Sequence, residues 1–397
     1  VRALPNADIT IISPNELHIY QPGQVFMAAG LYDFDDIVKD NKDFIPDSVN
    51  WIKDEVAAYD PDNNTVTTRV GELVPYDFMI VASGMEYRYE WIKGLTKEDI
   101  GKNGISSVYL SDLEKGTADG GSITWDWFND VKEAAASGKK PTVIYTNPKG
   151  AIKCGGAPQK ILYLSADYLK KEGLSANYIY APNASKLFKH PEFDATLQEV
   201  QKRYDTITNK FQHNLVAVDV KNKVATFEHN WEEKGEYDED LEMYDMIEKS
   251  ELVEMSYDFI HIVPPMSASQ ALVDSPLSWQ KGNAKGWLQV DQYTLQHMDY
   301  KNVFGIGDVC GIPLCRTGGS ARHMGPIVVG NLVSVLEGKE PEAYFDGYTV
   351  CPIKTGYNEI MMAEFNYEGI APTIPFMNPA NPNYMWWAFD LYQLKPM

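Results

Sequence analysis

The chain has 397 residues, 44% of them apolar, enough for two or three units of ordinary domain size with real cores. Its 35 lysines and arginines stand against 56 aspartates and glutamates, a formal charge of −21. That balance argues against a nucleic-acid backbone or an anionic lipid surface as the main partner, and otherwise serves solubility.

In chain order, Asp8–Ser13 (DITIIS) reads as a buried parallel strand stopped by Pro14. Val1 is not an initiator methionine and this strand already reads as mid-fold, so the chain reads as truncated at both ends. Leu17–Gly30 has no clean period and predicts an active-site loop with a short helix. Asp77–Ser83 predicts another buried strand, closed by Gly84, and polar, Gly-bearing sequence then runs to Gly138. From Pro141 a crossover unit starts: strand Thr142–Thr146, a loop through Cys154, a helix from Pro158 to Lys171, and strand Asn177–Tyr180. The acidic run from Glu232 to Glu254 reads as a solvated surface excursion. Tyr257–Val263 is a buried strand ended by Pro264 and Pro265; Asn302–Val309 is a strand entering a glycine turn, followed by a helix through Arg322–Leu336. No run approaches the roughly 18 uninterrupted apolar residues of a spanning helix.

These crossovers predict a doubly wound α/β fold with two Rossmann-like dinucleotide-binding domains and a C-terminal segment. The expected division is 1–138 for the first part of one domain, 139–256 for the second domain, 257–345 for the remainder of the first, and 346–397 for the C-terminal segment.

Gly305-Ile-Gly-Asp308-Val directly follows a strand, and with Val81-Ala-Ser-Gly84 it forms a pair of strand ends typical of FAD folds, Asp308 falling beside the ribityl chain. Gly84 and Gly307 are candidate cofactor contacts. The G-x-G-x-x-G fingerprint is missing from the opening of the chain, and Ser13 stands where a strand-terminal acid usually holds the adenosine ribose. The second unit also lacks the fingerprint although its strand, loop and helix are all present, which disfavours an NAD site. Its loop carries a thiol instead.

Cys154 lies in a Gly-rich loop ahead of a helix start, flanked by Lys153 and Lys160, a setting that favours thiolate. Cys351 comes far later in the chain. Cys310 and Cys315 have C-x4-C spacing without a second pair, and the seven histidines form no ligand cluster, so a metal site is not expected.

The stretches beginning Cys154-Gly-Gly-Ala-Pro-Gln-Lys, Val263-Pro-Pro-Met-Ser, Asn302-Val-Phe-Gly-Ile-Gly-Asp and Tyr348-Thr-Val-Cys-Pro resemble sulfide:quinone oxidoreductases, especially the mitochondrial-type branch. These belong to the FAD-dependent superfamily that includes the pyridine nucleotide-disulfide oxidoreductases. The resemblance implies that Cys154 and Cys351 are a redox pair that oxidises hydrogen sulfide through a disulfide or sulfur-bridged form, with electrons passing through FAD to quinone. It implies that Gln21 and Val56, like Asp308, contact FAD. FAD is expected to be non-covalent, since the third cysteine that attaches it in many bacterial members has no counterpart before Cys154. The persulfide would leave to sulfite, glutathione or further sulfide.

The aromatic end, with Tyr384, Trp386, Trp387, Phe389 and Tyr392, implies a quinone-facing segment and peripheral association with a mitochondrial inner or bacterial cytoplasmic membrane. A homo-oligomer is compatible with this picture. Lys395 is offset from a family lysine near the flavin and is not carried over. Alternatives are a flavocytochrome-type sulfide dehydrogenase, a type II NADH:quinone oxidoreductase, and a catalytically inactive flavoprotein.

Overall fold

The computed structural model describes residues 3–111, 119–204, 206–238, 243–314 and 316–394. Strand β1 (Thr10–Ile12) leads through the six-residue helix α1 (Gly23–Ala28) to β2 (Asn50–Ile52), which pairs parallel to β1 with Thr10 opposite Asn50. The strand expected over Asp8–Ser13 is thus shorter, and it is half-exposed because β2 is its one partner among the described residues. A small antiparallel meander, Val56–Asp60, Thr65–Thr68 and Leu73–Pro75, precedes β3 (Met79–Val81).

The polar stretch before Gly138 contains an unforeseen 18-residue helix, α2 (Asp119–Ala136), which follows the short strand β4 (Ile105–Ser106). Gly120 and Gly121 hid it, since glycine is a poor helix former. They are there for packing: a Cβ on Gly120 would meet the Leu110 carbonyl oxygen at 2.6 Å, and one on Gly121 would meet Met27 of α1 at 2.7 Å.

The crossover unit follows as expected: β5 (Thr142–Asn147), α3 (Ala157–Lys171) and β6 (Asn177–Pro182). Pro158 occupies the first turn of α3, where its missing N–H costs no bond, and Lys170 and Lys171 sit in the last turn against the carbonyl end of the helix. Next come β7 (Ile207–Asn209), β8 (His213–Asp219), β9 (Val224–Asp238), β10 (Met243–Ser256) and β11 (Phe259–His261). A five-stranded parallel sheet has the order β4-β11-β5-β6-β7. Val143, Ile144 and Tyr145 in its centre are fully buried, as both faces of such a sheet require. Strand β11, expected with the flavin unit, therefore hydrogen-bonds within this second sheet, Ile260 lying opposite Ile144.

The acidic run forms most of a long antiparallel ribbon, β9 opposite β10. Its surface placement agrees with its charge, while its strand character was not legible: charges recurring at intervals of three, as at Glu248, Glu251 and Glu254, leave no period of two to read.

Strand β12 (Val303–Gly305) lies parallel to β3, Gly305 opposite Val81. Helix α4 (Gly318–Leu336), the hairpin β13 (Thr349–Gly356) and β14 (Glu359–Phe365), and the short helix α5 (Tyr384–Phe389) complete the chain. One apolar core runs from α1 through α2, β5 and α3 to the β13–β14 hairpin and α5, so it packs the C-terminal segment against the Cys154 unit. A second gathers around β12 and α4.

Candidate active site

Cys154 sits in the loop between β5 and α3 with φ +51°, a left-handed conformation that a non-glycine residue adopts at a cost. The surrounding structure holds it there. Its N–H donates to the Arg316 carbonyl (2.8 Å), and its own carbonyl accepts from Ala157 N–H (2.8 Å), so the loop is tied both to the approach of α4 and to the start of α3.

Strand β13 delivers the second thiol. Cys351 is buried, faces Ala363 across the hairpin, and places its Sγ 3.4 Å from Cys154 Sγ across a sequence separation of 197 residues. Gly156 makes the approach possible: a Cβ there would lie 2.8 Å from Cys351 Sγ and 3.0 Å from Ile353.

Lys160, one turn into α3 and 4% exposed, sets its Nζ 3.0 Å from Cys154 Sγ. The hydrogen bond from Cys351 and the ammonium groups of Lys160 and Lys354 hold the Cys154 thiol well below its ordinary range, although burial opposes them. Cys351 is pushed the other way, because its proton is shared with the Cys154 sulfur and because it is buried. Burial disfavours the Lys160 ammonium, but the two sulfurs outweigh it and keep the group protonated. The arrangement favours negative charge on Cys154 over Cys351 and sets a cation beside the former.

Lys153 takes a different part from the one its position suggested. Its Nζ turns away from Cys154 to Gln21 Oε1 (2.5 Å) and Asp308 Oδ2 (3.3 Å), while Tyr109 Oη donates to its carbonyl at 3.0 Å. Burial lowers Lys153, and the Tyr87 phenol and the Asp308 carboxylate more than offset this, so it stays charged. One lysine, not two, touches the thiolate. The other, next to Cys154 in the chain, joins Gln21 and Asp308.

Gly84 and Gly307, at φ +69° and +78°, follow the adjacent strands β3 and β12. The carboxyl edge of parallel strands is where α/β folds bind nucleotide ligands. A Cβ on Gly84 would meet nothing within 4 Å, leaving space at that edge, and Asp308 and Gln21 supply polar groups joined through Lys153, the residue before Cys154. This set fits a flavin. Ser13 follows β1, its N–H donating to Ile52 and its carbonyl accepting from the Trp51 indole, and Val56 opens the meander opposite Thr68. No hydrogen bond or ion pair among the described residues joins either of them to the sulfur centre.

Two functional candidates escaped sequence reading. Lys354, three residues past Cys351, is 2% exposed and places Nζ 2.5 Å from Oδ2 of Asp390, which is 1% exposed and follows α5. The signal was present, a lysine in an otherwise uncharged strand, but its partner lies 36 residues on in a segment read as aromatic. Lys395 and Cys315 lie outside the described residues. Cys310 is buried in the second core. No group of three or more metal-capable side chains exists among the described residues.

No family profile matches the sequence. The chain is 35% identical over 363 residues to the mitochondrial sulfide:quinone oxidoreductase of Dictyostelium discoideum, covering 91% of this chain and 72% of that protein. It is 34% identical over 364 residues to the mouse mitochondrial sulfide:quinone oxidoreductase, with coverage of 91% and 72%. Among solved structures, the sulfide:quinone oxidoreductase of Aquifex aeolicus superposes with a TM-score of 0.71 at 20% identity, covering 98% of this chain and 85% of that one. A chain of the Tetrahymena thermophila mitochondrial ATP synthase gives 0.78 at 17% identity, with coverage of 98% and 88%. These structural likenesses show the shared fold.

Proposed function

The chain belongs to the sulfide:quinone oxidoreductase family, and on that premise we propose that Cys154 and Cys351 are its redox pair, with Cys154 the sulfur that carries negative charge. The enzyme oxidises hydrogen sulfide with quinone as electron acceptor and FAD as cofactor. The observation that carries the site assignment is the 3.4 Å approach of the two sulfurs with the Lys160 ammonium 3.0 Å from one of them.

Hydrosulfide attack on the bonded pair breaks the sulfur–sulfur bond, leaving a persulfide on one cysteine and a thiolate on the other. Lys160 stabilises the departing charge on Cys154, which puts the persulfide on Cys351. The better-stabilised thiolate is the better leaving group. A nucleophilic acceptor (sulfite, glutathione or sulfide) then takes the outer sulfur and leaves Cys351 as a thiol. Re-forming the bond releases two electrons and one proton, and carrying that electron pair to quinone is the chemistry FAD supplies when bound. The gap between the sulfurs also suits a single bridging sulfur, since two bonds of about 2 Å bent at the middle atom span about 3 Å. Asp308, Gln21, Gly84 and Gly307 would hold the flavin, without a covalent link, and Ser13 and Val56 its more distant parts.

The relatives are named mitochondrial, and no helix among the described residues is long and apolar enough to cross a membrane. We place the protein peripherally on a membrane through the exposed Tyr384, Met385, Phe389 and Tyr392. Peptide mapping tests the pair: the Cys154 and Cys351 peptides should be joined in the oxidised enzyme, and brief sulfide treatment should leave one extra sulfur on Cys351. Unjoined peptides, or the extra sulfur confined to Cys154, would contradict this reading.

A further inference from the structure

The sulfur pair shares its surroundings with the ion pair Lys354–Asp390. Strand β13 carries both Cys351 and Lys354, so the lysine belongs to the element that delivers the second thiol. Its Nζ lies 4.4 Å from the Phe26 ring centroid and 2.5 Å from Asp390 Oδ2. Asp390 Oδ1 is buried with no hydrogen-bond partner, and the Trp386 indole nitrogen is buried likewise. Burying two full charges is expensive, and an ion pair whose carboxylate keeps one oxygen unsatisfied is a poor stabiliser by itself. The pair calls for a reason other than stability.

Charge counting supplies one. The groups facing Cys154 are Cys351 and Lys354 from β13, Lys160 from α3 and Tyr109 from the approach to α2, while Asp390, from the turn after α5, faces the two lysines. Tyr20 and Tyr32, flanking α1, face Asp390. Burial first, and then neighbouring negative charge, raise all three phenols, Tyr32 to about 12, so they are neutral. The charges are then the Lys160 ammonium, the Lys354 ammonium, which burial disfavours and Asp390 supports, and one carboxylate. With Cys154 as a thiol the buried cluster carries a net positive charge; with Cys154 as thiolate it is neutral.

We propose that Lys354 and Asp390 are a positioning pair for the sulfur chemistry, a buried salt bridge that balances the cluster around an anionic Cys154 and thereby links the C-terminal segment to the ionisation of the redox centre. The proposal rests on the reading of Cys154 as the charged sulfur. It explains why a lysine is buried in β13, a strand otherwise without charge. It also explains why α5 and the turn behind it end with a carboxylate in the protein interior instead of at the surface.

The test is the pH dependence of iodoacetamide alkylation at Cys154, followed peptide by peptide in the reduced FAD-bound enzyme; it needs neither sulfide nor quinone. Lys354→Met removes a cation facing the thiolate and should raise the midpoint by about one pH unit or more. Lys354→Arg should restore it. Asp390→Asn removes the opposing anion and should leave the midpoint unchanged or lower it. The double replacement Lys354→Met with Asp390→Met, which swaps the pair for apolar side chains that buried sites tolerate, should return it to the wild-type value. A merely structural role moves both single variants upward together. That result, or an unmoved midpoint in Lys354→Met, overturns the proposal; Lys354→Gln serves if the methionine variant does not retain FAD. Loss of sulfide oxidation with the expected midpoints would count against the sulfide reading alone.

Discussion

Replacing Lys160 by methionine isolates the cation that hydrogen-bonds Cys154. The ammonium lies 3.0 Å from Cys154 Sγ. An unscreened estimate at an effective dielectric of about 20 gives roughly 5 kcal/mol, an upper figure because Lys354 and the Cys351 thiol remain. Charge-assisted hydrogen bonds contribute about 1.5–3 kcal/mol. Taking about 2 kcal/mol, the Cys154 midpoint should rise by roughly 1.5 pH units. The sign follows from the charge: the cation favours the thiolate, so its loss moves ionisation to higher pH and lowers the thiolate fraction at neutral pH. Stopped-flow alkylation of the reduced enzyme between pH 5 and pH 10 measures this directly. Lys153→Met is the control, because Lys153 bonds to Gln21 and Asp308. An unmoved midpoint in Lys160→Met, or an equal shift in Lys153→Met, would refute the assignment of Lys160 as the thiolate's partner.

Gly156→Ala should separate the sulfurs, since its Cβ would fall 2.8 Å from Cys351 Sγ; turnover should drop about tenfold or more while overpacking costs about 1–3 kcal/mol of stability, read by denaturant titration. His261 accepts a hydrogen bond from Val108 N–H at 3.1 Å, and burial pulls its pKa down to about 3. A depressed folded-state value means that the stability held above the unfolded value, about 6.5, is lost as pH falls toward 3. The unfolding free energy should therefore decline by several kcal/mol over that window, and His261→Gln should flatten the slope. Phe389→Ser with Tyr392→Ser should weaken co-sedimentation with phospholipid vesicles without changing the Cys154 alkylation profile.

Cys154 was legible from its local setting, before a helix start beside lysines, whereas Cys351 carried no local signal and was singled out through the family resemblance. Their proximity was not legible from spacing. It depends on α3 and β13 packing through Gly156, a contact between distant parts of the chain. The Gly307-Asp308 turn was readable because a positive φ after a strand calls for glycine. The separate tasks of Lys153 and Lys160 could not be read, since adjacency in sequence does not say which way a side chain turns in a loop. Helix α2 was hidden by glycines chosen for close packing, and Lys354–Asp390 by a partner in a region whose aromatic content drew attention instead. Residues that act locally were visible, whereas those that act across the core required the fold.

The central claim is tested most directly by an anaerobic visible spectrum of the FAD-bound enzyme titrated with sulfide and then with a short-chain quinone, beside Cys154→Ser and Cys351→Ser. Sulfide should bleach the flavin absorbance, quinone should restore it, and both variants should remain unbleached. A flavin that stays oxidised with sulfide but bleaches with NADH, or one that sulfide bleaches equally in the serine variants, would contradict the two-cysteine account.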